Sequence, residues 1–227
     1  MRPHIKIKLI LALSVLSFNV FAAGDLRLDH ANTDISDTVS LQNGAKLFMN
    51  YCSGCHAIGF MRYNRIAQDL GLNDSLVSEH LMFAGERPGD TITTTMPKDD
   101  SAKWFGGPPP DLSLTARAKG TDWIYTYLRG FYKDDSRVFG VNNKVLENAS
   151  MPDALWSLKE KKPEAEFNQD VRDITNFLDY VGEPAKLIRT ELGFWVLLFL
   201  GVLLVLTYLL KKEYWKDVKY GIWRPRD

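Results

Sequence analysis

Between Leu192 and Leu210 the chain runs through "LGFWVLLFLGVLLVLTYLL", nineteen residues without a charged side chain. Coiled as an α-helix this stretch extends ~28 Å, which matches the hydrocarbon thickness of a bilayer. A lipid medium leaves such a segment few choices, because every backbone polar group must find its partner within the helix. The competing reading is a buried core helix, but a core helix usually keeps polar residues on one face. The segment 192–210 is therefore read as a transmembrane helix, and it divides the chain. The tail behind it, 211–227, reads "KKEYWKDVKYGIWRPRD", with six Lys or Arg against three acids. That excess of cations places the tail in the cytoplasm, with Tyr208, Tyr214 and Trp215 at the depth of interfacial aromatics.

The opposite end has its own signature. Arg2, Lys6 and Lys8 precede the apolar "LILALSVLSFNV", and "VFAAG" supplies small residues for cleavage after Ala22 or Ala23. This is the order of a secretory signal peptide, residues 1–23, and its apolar run is too short to span a bilayer. Residues 24–185 are then an exported domain on the periplasmic face of a bacterial inner membrane. The whole chain balances 28 basic against 28 acidic residues. Without the signal and the tail, 19 basic residues face 25 acidic ones. An acidic surface does not suit nucleic acid. It suits a basic soluble protein, whose encounter rate long-range attraction raises, although acidity also serves solubility alone.

Helical periodicity dominates the exported domain. From Ser40 as N-cap, "LQNGAKLFMNYC" places Leu41, Ala45, Phe48 and Cys52 near one face. Short helices fit "NRIAQDL" and "SLVSEHLMFA", and "TDWIYTYLRGFY" has a stripe of Ile124, Tyr127, Leu128 and Phe131. A last exported helix, about Phe167 to Val181, spaces its apolar residues by four and three. "GGPPPDLS" cannot be regular, because consecutive prolines fix φ and remove donors. No strand pattern stands out. The expected class is mainly α.

The chain has two cysteines, Cys52 and Cys55, in "NYCSGCHAIGF" with His56 behind them. Three chemistries use this spacing. A dithiol switch needs a thiolate at a helix start in a βαβ setting, but these cysteines follow a helix. A structural zinc site needs four ligands, and His30 and His80 are not at finger-like spacing. C-x-x-C-H in an exported chain is the attachment signature of haem c. The thiols bind two vinyl groups on one side of the ring, and the adjacent histidine lies beneath the iron. One haem c, held covalently at Cys52 and Cys55 and ligated by His56, is the reading adopted.

A sixth ligand decides the use of such a haem. Methionine closes the site and raises the potential, which suits electron transfer; a vacancy suits gas binding or sensing. Met61 is too near His56 to cross the ring, which leaves Met82, Met96 and Met151. Met96 and Met151 each precede a proline. Small haem c folds place the methionine loop between the penultimate and closing helices, and Met151 occupies that slot. Met96 stays as the rival.

"GAKLFMNYCSGCHAIGF", "PPDLSLTARAKG" from Pro109, "DWIYTYLRGFY", the Met151 loop and the anchor ending in "YGIWRPRD" occur in that order. The chain thereby resembles the cytochrome c1 family, the haem-bearing subunits of ubiquinol–cytochrome c reductase (bc1) complexes. The resemblance implies a class I-like cytochrome c domain with extended loops and one C-terminal transmembrane helix. It implies thioethers at Cys52 and Cys55, axial ligands His56 and Met151, and a Pro110 carbonyl accepting from His56. It further implies that Arg117 pairs with a haem propionate and that Tyr63 lies near the haem. Implied partners are a cytochrome b subunit, a Rieske iron–sulfur protein as donor and a soluble or tethered cytochrome c as acceptor, within a dimeric complex at the inner membrane. Catalysis then belongs to the complex, since no acid–base pair or nucleophile in this chain points to a substrate site. The alternative is a tethered mono-haem cytochrome feeding a terminal oxidase or nitric oxide reductase, although those are commonly anchored at the N-terminus. "ENASMPDAL" is less proline-rich after the methionine than many family members, which keeps Met96 in play.

Overall fold

A computed structural model describes residues 27–221. The signal peptide read over 1–23 and the last residues of the tail lie outside them. Helix α1 (Thr38–Tyr51) starts two residues before the expected N-cap. Asp37 caps it, its carboxylate accepting from the Ser40 N–H at 3.1 Å. Ser40 is used differently: its hydroxyl donates to Asp173 at 2.7 Å and ties α1 to a later helix.

Downstream come β1 (Ile58–Arg62), α2 (Tyr63–Asp69), α3 (Asp74–His80), β2 (Thr91–Ile92) and α4 (Lys98–Phe105). A proline loop leads to α5 (Thr115–Lys119) and α6 (Thr121–Arg129), followed by β3 (Phe131–Lys133) and β4 (Val141–Asn143). The exported part closes with α7 (Trp156–Lys161) and α8 (Glu164–Gly182). The short strands are elements that no sequence pattern marked. They form two antiparallel pairs, β1 with β2 and β3 with β4, the second registering Phe131 with Asn143 and Lys133 with Val141. Pairs this short lack the length for a readable alternation of apolar and polar residues. The fold is nonetheless mainly helical.

The core forms where α1, α6 and α8 meet. Phe48, Phe177, Ile174, Val171 and Tyr180 are fully buried, and the Phe48 and Phe177 rings lie 5.7 Å apart. Gly44 permits this crossing: a Cβ there would sit 2.0 Å from the Asp173 carbonyl oxygen. The N-terminal segment straps α6 through the Ala31 N–H to Asp122 at 2.8 Å and the Asp29–Arg129 ion pair at 2.9 Å. The predicted stripe of Ile124, Tyr127, Leu128 and Phe131 is buried as a whole, although Phe131 has passed from helix to strand.

Helix α9 (Lys186–Tyr214) contains the apolar run, with mean hydropathy 2.5 over its best window and no buried residue. It is longer than 192–210 because its charged flanks are themselves helix formers. A short α10 (Lys216–Lys219) follows.

Candidate functional site

The cysteine–histidine motif follows α1 directly, with Cys52 as the C-cap of the helix and residues 52–55 as a turn. Cys52 N–H donates to the Phe48 carbonyl at 2.8 Å, and the N–H groups of Cys55 and His56 donate to the Cys52 carbonyl at 3.0 and 2.8 Å. Ser53 adds a hydroxyl bond to the Met49 carbonyl at 2.7 Å. Both sulfurs and the imidazole are thus carried on one rigid turn. Cys52 is buried and Cys55 half-buried, and both are free thiols. Burial, with Cys55 beside it, pushes the Cys52 thiol up to about 12, and burial raises Cys55 as well. Neither is the low-pKa thiolate that a dithiol switch requires. Among the described residues, no three His, Cys, Asp or Glu side chains converge as a metal cluster.

His56 is aimed by the proline loop. Its Nδ1–H donates to the Pro110 carbonyl at 2.8 Å. A carbonyl can only accept, so the proton is on Nδ1 and the lone pair is on Nε2. Pro108 to Pro110 offer carbonyls and no donors, and the loop behind them is pinned beside the histidine. Leu112 N–H donates to the Ala57 carbonyl at 2.8 Å. Asp111 accepts from the N–H of Gly59 at 2.8 Å and of Ser113 at 2.7 Å, and Phe60 N–H reaches the Ser113 hydroxyl at 3.1 Å. Burial lowers the His56 pKa, against the opposing pull of Pro110 and the Asp111 charge, so the ring is neutral at neutral pH. Burial alone would raise the Asp111 carboxyl, but hydrogen bonds from Ser113 and Gly59 hold it below the ordinary range. Two neutral thiols and a neutral imidazole with a free Nε2 on one turn are the donor set that haem c needs.

Met151 is half-buried and packs against the core. The Tyr127 hydroxyl donates to its Sδ at 3.6 Å. The loop before Met151 is ordered by two buried asparagines that sequence reading passed over. Asn143 donates to the Tyr127 carbonyl at 2.8 Å and accepts from Val145 N–H at 2.8 Å. Asn142 accepts from Asn148 N–H at 2.9 Å, with Asn148 in the left-handed region at φ +63°. An "NN" pair before a methionine loop is the only trace of this in the sequence. Met96 is placed otherwise, two residues after Thr94, whose hydroxyl donates to the Gly54 carbonyl at 2.8 Å. Its neighbourhood is therefore the cysteine turn itself.

Arg117 is exposed on α5 and makes no ion pair among the described residues; its stem lies against the position of Gly182. Tyr63 opens α2 and is 2% exposed, its ring close against Gly85. A cavity of about 200 Å³ opens between the start of the proline loop at Gly106 and the methionine loop at Ala149 and Ser150, walled by Trp104, Phe105 and Phe139.

Residues 30–218, nearly all of the domain and its anchor, match the model of the Cytochrome C1 family. The chain belongs to the cytochrome c1 family. It is 46% identical to a cytochrome c1 of Allochromatium vinosum, over 87% of this chain and 92% of that one. It is 42% identical to a protein of Nitrosomonas europaea named ammonia monooxygenase gamma subunit, over 92% and 97% of the two chains. A more distant relative in Bradyrhizobium diazoefficiens is named cytochrome b/c1; 80% of this chain aligns with 34% of it, at 26% identity. A cytochrome c1 is a haem-containing electron-transfer subunit of a bc1 complex, class I-like in fold, and among the described residues this chain has one helix long and apolar enough to cross a membrane.

Proposed function

We propose that this cytochrome c1 holds a single haem c through thioethers at Cys52 and Cys55, with His56 and Met151 as axial ligands. Electrons pass from a Rieske iron–sulfur protein to a soluble or tethered cytochrome c. Bound there, the haem supplies a one-electron ferric–ferrous couple. The observation that carries the reading is the His56–Pro110 bond at 2.8 Å, which orients the ring and leaves Nε2 to the metal. Pro110 therefore acts as the orienting acceptor. Met151 is favoured over Met96 because it packs on the core beside Tyr127, whereas Met96 follows a threonine tied to the cysteine turn. Arg117 supplies an unpaired cation for a propionate. Tyr63 belongs to the buried wall of the domain near the haem.

The anchor 192–210 holds the domain 24–185 on the periplasmic face against a cytochrome b subunit, in a dimeric complex, with 211–227 in the cytoplasm and 1–23 removed. A relative named cytochrome b/c1 supports the pairing with cytochrome b. A reduced-minus-oxidised spectrum with a pyridine haemochrome assay tests the site, run on wild type, Met151→Leu and Met96→Leu. One covalent haem per chain, with methionine ligation lost in Met151→Leu alone, is the expected result. Acid–acetone extraction of the haem, or ligation lost in Met96→Leu instead, refutes it. Co-purification tests the assembly: cytochrome b and a Rieske protein are expected, whereas a terminal oxidase, nitric oxide reductase or ammonia monooxygenase replaces the proposed partners.

A further inference from the structure

Between β4 and α7 the chain runs through 144–155 without a helix or strand, so the place of Met151 depends on what pins its loop. Among the described residues, the last main-chain groups fastened before it are those of Asn148. Three atoms of Asn148 are engaged. Its N–H donates to Asn142 Oδ1 at 2.9 Å, its Oδ1 accepts from Arg137 Nη1 at 2.9 Å, and its carbonyl accepts from Arg137 Nη2 at 3.1 Å. Asn148 stands in the left-handed region at φ +63°, a conformation that costs a non-glycine residue and persists where contacts hold it. Arg137 is itself fixed in the turn between β3 and β4. Its N–H donates to the Asp134 carbonyl at 3.1 Å, and its carbonyl accepts from the Gly140 N–H at 3.0 Å. Asp134 in turn accepts from Ser136 and, at 2.9 Å, from the Asn142 amide. The contacts close a ring, from Arg137 to Asn148 to Asn142 to Asp134 and back. Arg137 Nε is buried without a partner among the described residues, and the side chain walls the cavity between the proline and methionine loops. The guanidinium is thus turned inward rather than out to water.

Resting on the reading of Met151 as axial ligand, we propose that Arg137 is a positioning residue whose guanidinium clamps Asn148 and so keeps Met151 at the iron. A thioether is a neutral, weak ligand for ferric iron, so its bond survives in proportion to how seldom the loop opens. Each opening frees backbone torsions, and that entropy favours the open loop unless contacts oppose it. The planar fork of arginine meets two oxygens of one residue in a single pre-organised geometry, which fixes the loop three positions before the ligand. Charge-assisted bonds are about twice as strong as neutral ones, and the exposure of Asn148 to solvent reduces that gain. Loss of both bonds should raise the open fraction about tenfold.

Exogenous imidazole reads that fraction, because it reaches ferric iron only where Met151 has left, and its apparent Kd falls as the open fraction rises. In the full, haem-loaded chain, Arg137→Gln should bind imidazole about tenfold more tightly than wild type. The far-red band of methionine–ferric ligation should be retained before imidazole is added. Wild-type affinity in Arg137→Gln overturns the proposal. Arg137→Lys should behave like Arg137→Gln, since an ammonium does not span two acceptors as the fork does; rescue by lysine assigns the effect to charge and overturns the clamp. Asn148→Asp keeps the acceptor and the tolerance of positive φ, and it should bind imidazole no more tightly than wild type; tighter binding counts against the clamp. Arg129→Gln breaks the Asp29 ion pair on α6 and leaves the ring of contacts intact. It should change nothing, and a gain equal to that of Arg137→Gln assigns the effect to general loosening and overturns the proposal. Should Arg137→Gln fail to mature, Asn148→Gly decides, because glycine holds a left-handed φ without strain and lacks the Oδ1 acceptor. A gain in affinity that Asn148→Asp does not share supports the clamp, and no gain refutes it. Failure of the ligand reading is separately visible, as a methionine band that survives in Met151→Leu.

Discussion

Gly44→Ala should destabilise the domain although alanine is the better helix former. On propensity alone the exchange favours α1 by ~1 kcal/mol. The added Cβ, however, would stand 2.0 Å from the Asp173 carbonyl oxygen and 2.7 Å from Phe177 Cβ. Ordinary contact begins near 3.4 Å, and neither obstacle is the end of a flexible side chain. Helices α1 and α8 must therefore separate by about 1 Å. A gap of that size forfeits a quarter to a half of each dispersion contact, and it opens along Ala45, Phe48, Ile174 and Phe177, all fully buried. Overpacking of this kind costs about 1–3 kcal/mol and occasionally more. With backbone as the obstacle the upper end applies, leaving a net loss of ~2 kcal/mol after the propensity gain. For a domain of this size that lowers Tm by about 4–8 °C. The assay is a thermal melt of the haem-loaded chain in detergent, followed by far-UV circular dichroism and Soret absorbance. Gly182→Ala is the control, since its nearest obstacle is the movable Cγ of Arg117 at 3.2 Å; its Tm should stay within about 2 °C of wild type. A Gly44→Ala melt at or above the wild-type temperature would refute the close-approach argument.

Asp111→Ala removes the acceptor for the Gly59 and Ser113 N–H groups. It should cost about 1–2 kcal/mol in denaturant titration and raise the midpoint potential, because a loosened Pro110 carbonyl leaves His56 less basic. The Asp111 and Asp122 carboxyls both lie below their ordinary value. At Asp111 hydrogen bonds outweigh burial, and at Asp122 the Ala31 N–H is the main cause. Their contribution is present above the unfolded carboxyl pKa near 4 and is lost as pH falls through the lower folded values. Acid unfolding should accordingly steepen below about pH 4 and shift least in the Asp111→Ala, Asp122→Ala double variant. Removal of residues 186–227 should release a detergent-free domain whose Tm matches the anchored form, since α9 has no buried residue; an unfolded product would show that α9 supports the fold. Electron transfer to a basic cytochrome should slow as ionic strength rises, and a rate indifferent to salt in stopped-flow measurements removes the charge argument.

Much of the site could be read in one dimension because its chemistry is local. Cys52, Cys55 and His56 fall on one hydrogen-bonded turn directly after α1, so their spacing along the chain is already their spacing in space. The membrane helix is legible for a similar reason: hydropathy summed over a window needs no partner. Helix ends and strands were less accessible. Ser40 has the chemistry of a cap, yet Asp37 caps α1, because Asp173, 133 positions away, engages the Ser40 hydroxyl. The strands β3 and β4 are three residues each and exist through each other.

The sequence alone determined that the chain carries a C-x-x-C-H turn, a helical domain and a long apolar helix, since each is encoded in contiguous residues. Tertiary structure decided what surrounds the proposed iron ligands. Pro110 meets His56 across 54 positions and Tyr127 meets Met151 across 24. No periodicity records such meetings, because they depend on how Gly44 lets α1 cross α8 and on where Asn142 and Asn143 fasten a loop.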